Sequence, residues 1–123
     1  MYDDGYLYGD SGYRTPNATL RCIEFATGKV KWESENFGHS SLLKVDGHLI
    51  CLTEDGELRL LKLNPEKYDE ISRMTPQKPG KDGGRLLEHP CWAAPILSHG
   101  LLYVRGSDYL VCLELIPDKS KQE

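Results

Sequence analysis

The sequence predicts an all-β chain, and three observations carry that reading. Short apolar or alternating runs recur along its 123 residues, closed by turn clusters such as Asp10-Ser11-Gly12, Asp46-Gly47 and Asp55-Gly56. No stretch of about 11 residues or more keeps a helical period. Leu58 to Leu63 matches that spacing but is short and lies between turn signals. A turn-plus-strand text also repeats, as Asp4-Gly5-Tyr6-Leu7-Tyr8, Asp46-Gly47-His48-Leu49-Ile50 and His99-Gly100-Leu101-Leu102-Tyr103. Gly5 and Gly47 are 42 residues apart, Gly47 and Gly100 are 53 apart, and a Pro/Gly-rich stretch accounts for the longer gap. A second text follows each, as Leu20-Arg21-Cys22-Ile23-Glu24, Leu58-Arg59-Leu60-Leu61-Lys62 and Leu110-Val111-Cys112-Leu113-Glu114. A period of roughly 40 to 50 residues with about four short strands per unit marks a β-propeller blade. The predicted architecture is therefore a propeller segment of four-stranded antiparallel blades, about two and a half of them, forming an open arc.

The elements follow in order. Gly5 to Gly9 is a short aromatic and aliphatic strand. Thr19 to Phe25 is the next, turning through Ala26-Thr27-Gly28-Lys29 into the alternating Val30-Lys31-Trp32-Glu33. Ser41 to Val45 leads into Asp46-Gly47, a strong hairpin dipeptide, and His48 to Thr53 returns from it. Asp55-Gly56 turns the chain into Glu57 to Leu63, which Asn64-Pro65 ends, and Lys67 to Met74 follows. Thr75 to His89 carries Pro76, Pro79, Gly80, Gly83 and Gly84 and reads as a mobile surface loop. Order resumes at Trp92 to Leu97, and Leu101 to Val104 and Tyr109 to Leu115 are the last strands. The expected division is a partial blade over 1–37, a blade over 38–89 containing the loop 75–89, a partial blade over 90–116, and a charged, frayed tail over 117–123. This counts three strands, then four, then three. A lone blade is apolar on both faces, so blades must stack. A sandwich would not repeat the same texts in order.

Composition narrows the function classes. Lys plus Arg number 15 against 19 Asp plus Glu, a net charge of −4, so nothing draws the chain generally to nucleic acid. With 39% hydrophobic and 28% charged residues, it can build a core. No apolar run approaches the ~20 residues of a membrane-spanning helix, and Met1 to Gly5 shows no secretory signal. The cysteines at 22, 51, 91 and 112 form no CxxC pair, and three of them, Cys22, Cys51 and Cys112, sit in apolar strand runs as buried hydrophobes. Asn17-Ala18-Thr19 fits a glycosylation triplet but reads as a polar turn. His39, His48, His89 and His99 are scattered, and His48 and His99 sit at turns facing solvent. No G-x-S-x-G text occurs. Glu54-Asp55-Gly56-Glu57 is a hairpin turn rather than a calcium loop.

At Ala26-Thr27-Gly28-Lys29-Val30-Lys31-Trp32 the sequence resembles the tryptophan-docking motif of quinoprotein-type propellers. That superfamily includes the pyrroloquinoline-quinone-dependent alcohol dehydrogenases and the lipoprotein propeller of outer-membrane protein assembly. Its text runs Ala-x-Asp-x-x-Thr-Gly-Lys-x-x-Trp. Cys22 stands for the alanine and Glu24 for the aspartate, while Thr27, Gly28, Lys29 and Trp32 match. The motif is complete only once: Asn64 to Tyr68 replaces the Thr-Gly turn in the second unit. Trp92, Pro95, Gly100, Tyr103, Val104 and Cys112 to Leu115 resemble a closing blade of bacterial propellers of that kind. The resemblance implies that Trp32 packs on the next blade and that the chain is the C-terminal segment of a longer propeller. It also implies a periplasmic or secreted setting for the full-length parent. Trp92, Pro95 and Tyr103 are expected to pack between blades, the alternative for Trp92 being to stack on a flat ligand.

The resulting expectation is a non-catalytic scaffold for protein or ligand contact, with no catalytic, cofactor or metal residues of its own. The alternative is a fragment of a pyrroloquinoline-quinone-dependent dehydrogenase whose quinone and calcium ligands lie on missing blades. The adjacent-cysteine disulfide of those enzymes has no counterpart here. A third reading, a glycan-binding rim, draws on Tyr6, Tyr8, Tyr13 and Tyr103 with Arg14 and Arg105. Expected partners are a protein or the remaining blades, with self-association through exposed blade edges.

Overall fold

The computed structural model describes residues 1–12, 18–35, 37–77, 86–87, 89–107 and 109–114. Most of the expected loop, the tail 117–123, Tyr13, Arg14 and Asn17 lie outside the described residues. Among the described residues the chain is all strand and turn, in three antiparallel sheets that do not close on themselves. The first sheet holds β1 (Tyr2–Asp3), β2 (Tyr6–Ser11), β3 (Thr19–Glu24) and β4 (Val30–Ser34). The second holds β5 (Ser40–Val45), β6 (His48–Thr53), β7 (Leu58–Lys62) and β8 (Glu70–Met74). The third holds β9 (Ile96–Ser98), β10 (Leu101–Arg105) and β11 (Leu110–Glu114). Each sheet is a meander in which sequence neighbours are spatial neighbours, the blade order of an open propeller arc.

The repeated text is a repeated backbone. Asp4-Gly5, Asp46-Gly47 and His99-Gly100 are two-residue loops closing the pairs Asp3↔Tyr6, Val45↔His48 and Ser98↔Leu101. Both loop residues take positive φ in each case: 45° and 88°, 44° and 72°, 51° and 76°. That is the type I′ hairpin, whose twist matches the strands it joins, and aspartate and glycine adopt it at low cost. His99 is thus the counterpart of Asp46. The hairpins also make β1 the counterpart of β5 and β9, so the strand count is four, four and three rather than three, four and three. Two residues are too few to show alternation in sequence. This strand is extended by Tyr8 N–H donating to the Met1 carbonyl at 2.8 Å and the Met1 ammonium donating to the Tyr8 carbonyl at 2.9 Å.

Alternation then decides the packing. Side chains on one strand point to opposite faces, and directly paired residues share a face. Tyr8, Leu20 and Cys22 of the first sheet meet Leu49, Cys51 and Leu61 of the second. The other face of the second sheet, with Ile50, Leu52 and Leu58, meets Leu102 and Val104 of the third. Burying leucines of this kind stabilises by roughly 1.5 to 3 kcal/mol apiece. Between the second and third sheets about 240 Å³ of apolar space is left beside Leu60, Met74 and Leu113, where the third sheet has no counterpart of β4 and β8 among the described residues.

Two expectations change here. Cys22, Cys51 and Cys91 are buried, but Cys112 is exposed because β11 turns it away from the Leu102–Val104 face. The loop 75–89 is not wholly a surface feature. Leu87 lies in the second apolar cluster, and a Cβ on Gly56, at φ 86°, would come within 2.6 Å of the Leu87 carbonyl oxygen. Leu86 N–H donates to the Pro76 carbonyl at 2.8 Å, tying the two described ends of the loop together.

Burial pushes the Cys51 thiol up to about 12 and raises Cys22 as well. With an aromatic disulfide reagent at low micromolar protein and pH 8, one of the four thiols, Cys112, should react rapidly. The other three should react only in denaturant. Rapid native labelling of Cys22 or Cys51 would contradict the packing of the first and second sheets.

Candidate functional site: the Trp32 seam and the three-sheet junction

The Thr-Gly turn joins β3 to β4 through local hydrogen bonds. Thr27 Oγ1 donates to Glu24 Oε1 at 2.9 Å and accepts from Lys29 N–H at 3.2 Å, while Gly28 N–H donates to the Glu24 carbonyl at 2.8 Å. Gly28 has φ 73°, a value that favours glycine. Lys29 is exposed. The turn places Trp32 opposite Cys22, on the face that meets the second sheet.

Trp32 crosses to that sheet. Its Nε1–H donates to the Asn64 carbonyl at 2.7 Å, and its ring stands edge-on to Tyr68 at 5.6 Å and tilted to Tyr8 at 6.1 Å. Phe37 continues the row against Tyr68 at 6.2 Å, and the Arg59 guanidinium sits 4.5 Å from the Phe37 centroid. Asn64-Pro65, read in sequence only as a strand breaker, supplies the acceptor. A carbonyl freed by a chain break leaves no side-chain signature, and the Tyr68 and Phe37 contacts are likewise not readable from spacing.

Electrostatics beside the seam are locally balanced. Arg59 and Arg73 lie opposite each other on β7 and β8, a like-charge pairing that costs stability unless neutralised. Glu57 accepts from Arg59 Nε, and Glu70 accepts from Arg73 Nε at 3.0 Å and from Tyr68 Oη at 2.8 Å. Burial and the Glu70 hydrogen bond push the Tyr68 hydroxyl up to about 12. Burial also opposes ionisation of Glu70, yet the Arg73 and Tyr68 hydrogen bonds outweigh it and hold its carboxyl below the usual range.

A second cluster forms where all three sheets come together. Asp10 Oδ2 accepts from Ser40 N–H at 2.8 Å and lies 3.2 Å from His39 Nδ1. Glu54 N–H donates to the His39 carbonyl and Cys91 N–H to the Glu54 carbonyl, each at 2.9 Å. Trp92 Nε1–H donates to Glu54 Oε1 at 2.9 Å, and Ser41 Oγ donates to the Trp92 carbonyl at 3.3 Å. The expected packing of the Trp92 ring is not what forms. The indole is 69% exposed, because Glu54 holds its N–H at the rim while Cys91 and Leu87 fill the interior. Pro95 is buried just before β9, and Tyr103 points to the face of the third sheet away from the second.

Glu24, Thr27, Gly28 and the Lys29 backbone therefore form one turn, with Trp32 on the strand that follows it, whereas Trp92, Pro95 and Tyr103 do not converge. Tyr6 and Tyr8 face the first cluster, and Tyr103 lies beyond the second sheet, so the described tyrosines form no common rim. His39 pairs with Asp10, and His89 lies 3.4 Å from Asp55. His48 is half-buried and His99 exposed. Among the described residues no group of three or more His, Cys, Asp or Glu has metal-binding geometry. No helix among them is long and apolar enough to cross a membrane. No protein-family model matches the chain, and no curated protein matches it.

Trp32→Ala should cost about 3 kcal/mol by urea unfolding, the low end for a large core aromatic because the ring is only partly buried. Trp32→Phe, which keeps a ring but loses the bond to Asn64, should cost about 1 kcal/mol through that bond. A loss under about 1 kcal/mol for alanine would show that the ring does not join the sheets. For Glu70, the native state binds fewer protons than the unfolded state. Its contribution is therefore present above the usual carboxylate range and lost as pH falls through the lowered native value. Glu70→Gln should reduce stability at pH 7 by at most about 1 kcal/mol and flatten the decline between pH 5 and 3.

Proposed function

We propose that this chain is a non-catalytic propeller repeat segment of the quinoprotein-like type, serving as a rigid scaffold for protein or ligand contact. The observation that carries this reading is the stack itself. The middle sheet is covered on both faces, and Trp32 ties the first sheet to the backbone of the second. The bond from Trp32 to Asn64 and the Thr27–Glu24 turn fit the role that the docking motif implies for these residues. The ionisable side chains of the seam, Glu57, Arg59, Glu70 and Arg73, are spent on one another rather than aimed at a common open point.

The contact surface in this reading is the three-sheet junction. An exposed indole fixed by Glu54 offers a flat apolar face beside Asp10 and His39, a combination suited to a polar ligand or peptide with a planar or apolar group. By resemblance, the full-length parent is bacterial and works in the periplasm or outside the cell. The experiment that separates the scaffold from a dehydrogenase fragment is a thermal melt with pyrroloquinoline quinone and calcium, alongside a dye-linked alcohol oxidation assay. An unchanged melting temperature and no dye reduction are expected. A calcium-dependent upward shift with the quinone would overturn the scaffold reading.

A further inference from the structure

At the three-sheet junction the hydrogen-bonding groups can be accounted for one by one. Three backbone donors are used within the chain: Ser40 N–H on Asp10, Glu54 N–H on the His39 carbonyl and Cys91 N–H on the Glu54 carbonyl. The Ser41 hydroxyl is used on the Trp92 carbonyl, and the Trp92 indole N–H on Glu54 Oε1. Ser40 Oγ is buried without a hydrogen-bond partner among the described residues. Its pairing with Thr53 turns it to the face that meets the first sheet. What the junction offers outward is the face of an indole that is 69% exposed, together with the carboxylates of Glu54 and Asp55. A carboxylate has about four acceptor sites, so one bond does not exhaust it.

Electrostatics select the sign of a ligand for this surface. Asp10, Glu54 and Asp55 supply negative charge, and the partners of Asp10 and Asp55 are imidazoles, which carry charge only when protonated. Lys44, Arg59 and Arg73 are engaged elsewhere, with Asp3, Glu57 and Glu70. The N–H edge of the indole, its positive pole, already faces Glu54, so a ligand meets the electron-rich face. An anion would find no indole donor left there. The ring is also held in place. Trp92, Ala93 and Ala94 are exposed in succession between buried Cys91 and buried Pro95, so little freedom is lost when something docks. The surface lies where the sheets meet, and what covers the outer faces of the first and third sheets does not alter it.

We propose that Trp92 and Glu54 form a subsite for an arginine side chain of a peptide, the guanidinium lying on the indole face and donating to Glu54. A guanidinium is planar, always charged, and carries donors but no acceptor, which is the complement of a flat π-face beside carboxylates. Asp55, next to Glu54 and 45% exposed, adds charge of the same sign. Ala93 and Ala94 give the residues flanking the arginine an exposed apolar surface beside the ring, which a free guanidinium would not use. This deepens the proposed reading: it rests on the junction as the contact surface and names the chemistry contacted there.

Titration of the isotope-labelled full chain, followed by nuclear magnetic resonance, tests it. Trp32 and Trp92 give two indole N–H signals, and Trp32→Phe assigns them. The probes are acetyl-Gly-Arg-Gly-amide, the same peptide with lysine, citrulline or glutamate in place of arginine, and methylguanidinium alone. Citrulline keeps the planar shape and removes the charge. The arginine peptide should shift the Trp92 signal saturably and leave the Trp32 signal in place. The citrulline peptide should bind at least about fivefold more weakly, and the glutamate peptide should shift neither signal. Glu54→Gln keeps an acceptor for the indole N–H and removes the charge. It should weaken the arginine peptide at least about threefold and leave the citrulline peptide unchanged. Trp92→Leu, at an exposed position, should abolish the shifts of the Ala93 and Ala94 amides without moving the Trp32 signal or the melting temperature. A Trp92 signal that does not shift at about 50 mM arginine peptide, beyond the weak end of specific contacts, would overturn the proposal. So would equal affinity for the citrulline or lysine peptide. Methylguanidinium binding as tightly as the arginine peptide would overturn the assignment to a peptide. The quinone melt depends on none of these probes. A calcium-dependent quinone shift removes the scaffold reading, whereas a silent Trp92 signal removes the arginine subsite alone.

Discussion

Leu49 and Cys51 leave β6 on one side and Ile50 and Leu52 on the other, so the middle sheet has no face that water can satisfy. The rest of the structure follows from this. A sheet with one polar face can stand at a surface, whereas a two-faced apolar sheet requires a neighbour on each side. The first and third sheets are those neighbours, and each is apolar towards the second. The polar ties between sheets sit around this apolar contact rather than within it: Lys44 with Asp3, Asp10 with Ser40, Trp32 with Asn64, and Trp92 with Glu54. They fix lateral position, while the burial supplies most of the stabilisation.

Much of this organisation was legible in the sequence, and the reason is geometric. Asp-Gly and His-Gly dipeptides announce a backbone with two positive φ values, and the three of them set the same register in all three sheets. Alternation then assigns faces without reference to distance. What stayed hidden depends on which sheet comes next. Cys22 and Cys112 stand in nearly identical texts, yet one is buried and the other exposed, because only the first has a sheet packed over it. Local sequence records which way a side chain points and says nothing about whether anything lies there.

The functional surface was less legible for a related reason. Trp92 reads as packing because large apolar rings are normally buried, but one carboxylate, Glu54, on a distant hairpin is enough to hold the indole at the rim. Leu87 reads as part of a glycine- and proline-rich loop, yet it is wholly buried against Gly56, where no side chain competes for the space. Trp32 reaches across to the second sheet, and its partner there, a backbone carbonyl at Asn64, has no residue type to betray it. Tertiary contacts made by backbone atoms are systematically invisible to motif reading.

The type I′ hairpins have a consequence for how the chain reaches this state. In most sheets the alternation of polar and apolar residues penalises a one-residue slip, because slipping carries the apolar set into water. In β6 the same slip would exchange one apolar pair for another, Leu49 and Cys51 for Ile50 and Leu52, with little change in polarity. Hydrophobicity therefore cannot choose the register of the central strand. The Asp46-Gly47 loop, which closes the Val45↔His48 pair, makes that choice through local backbone geometry and needs no neighbouring sheet to do so.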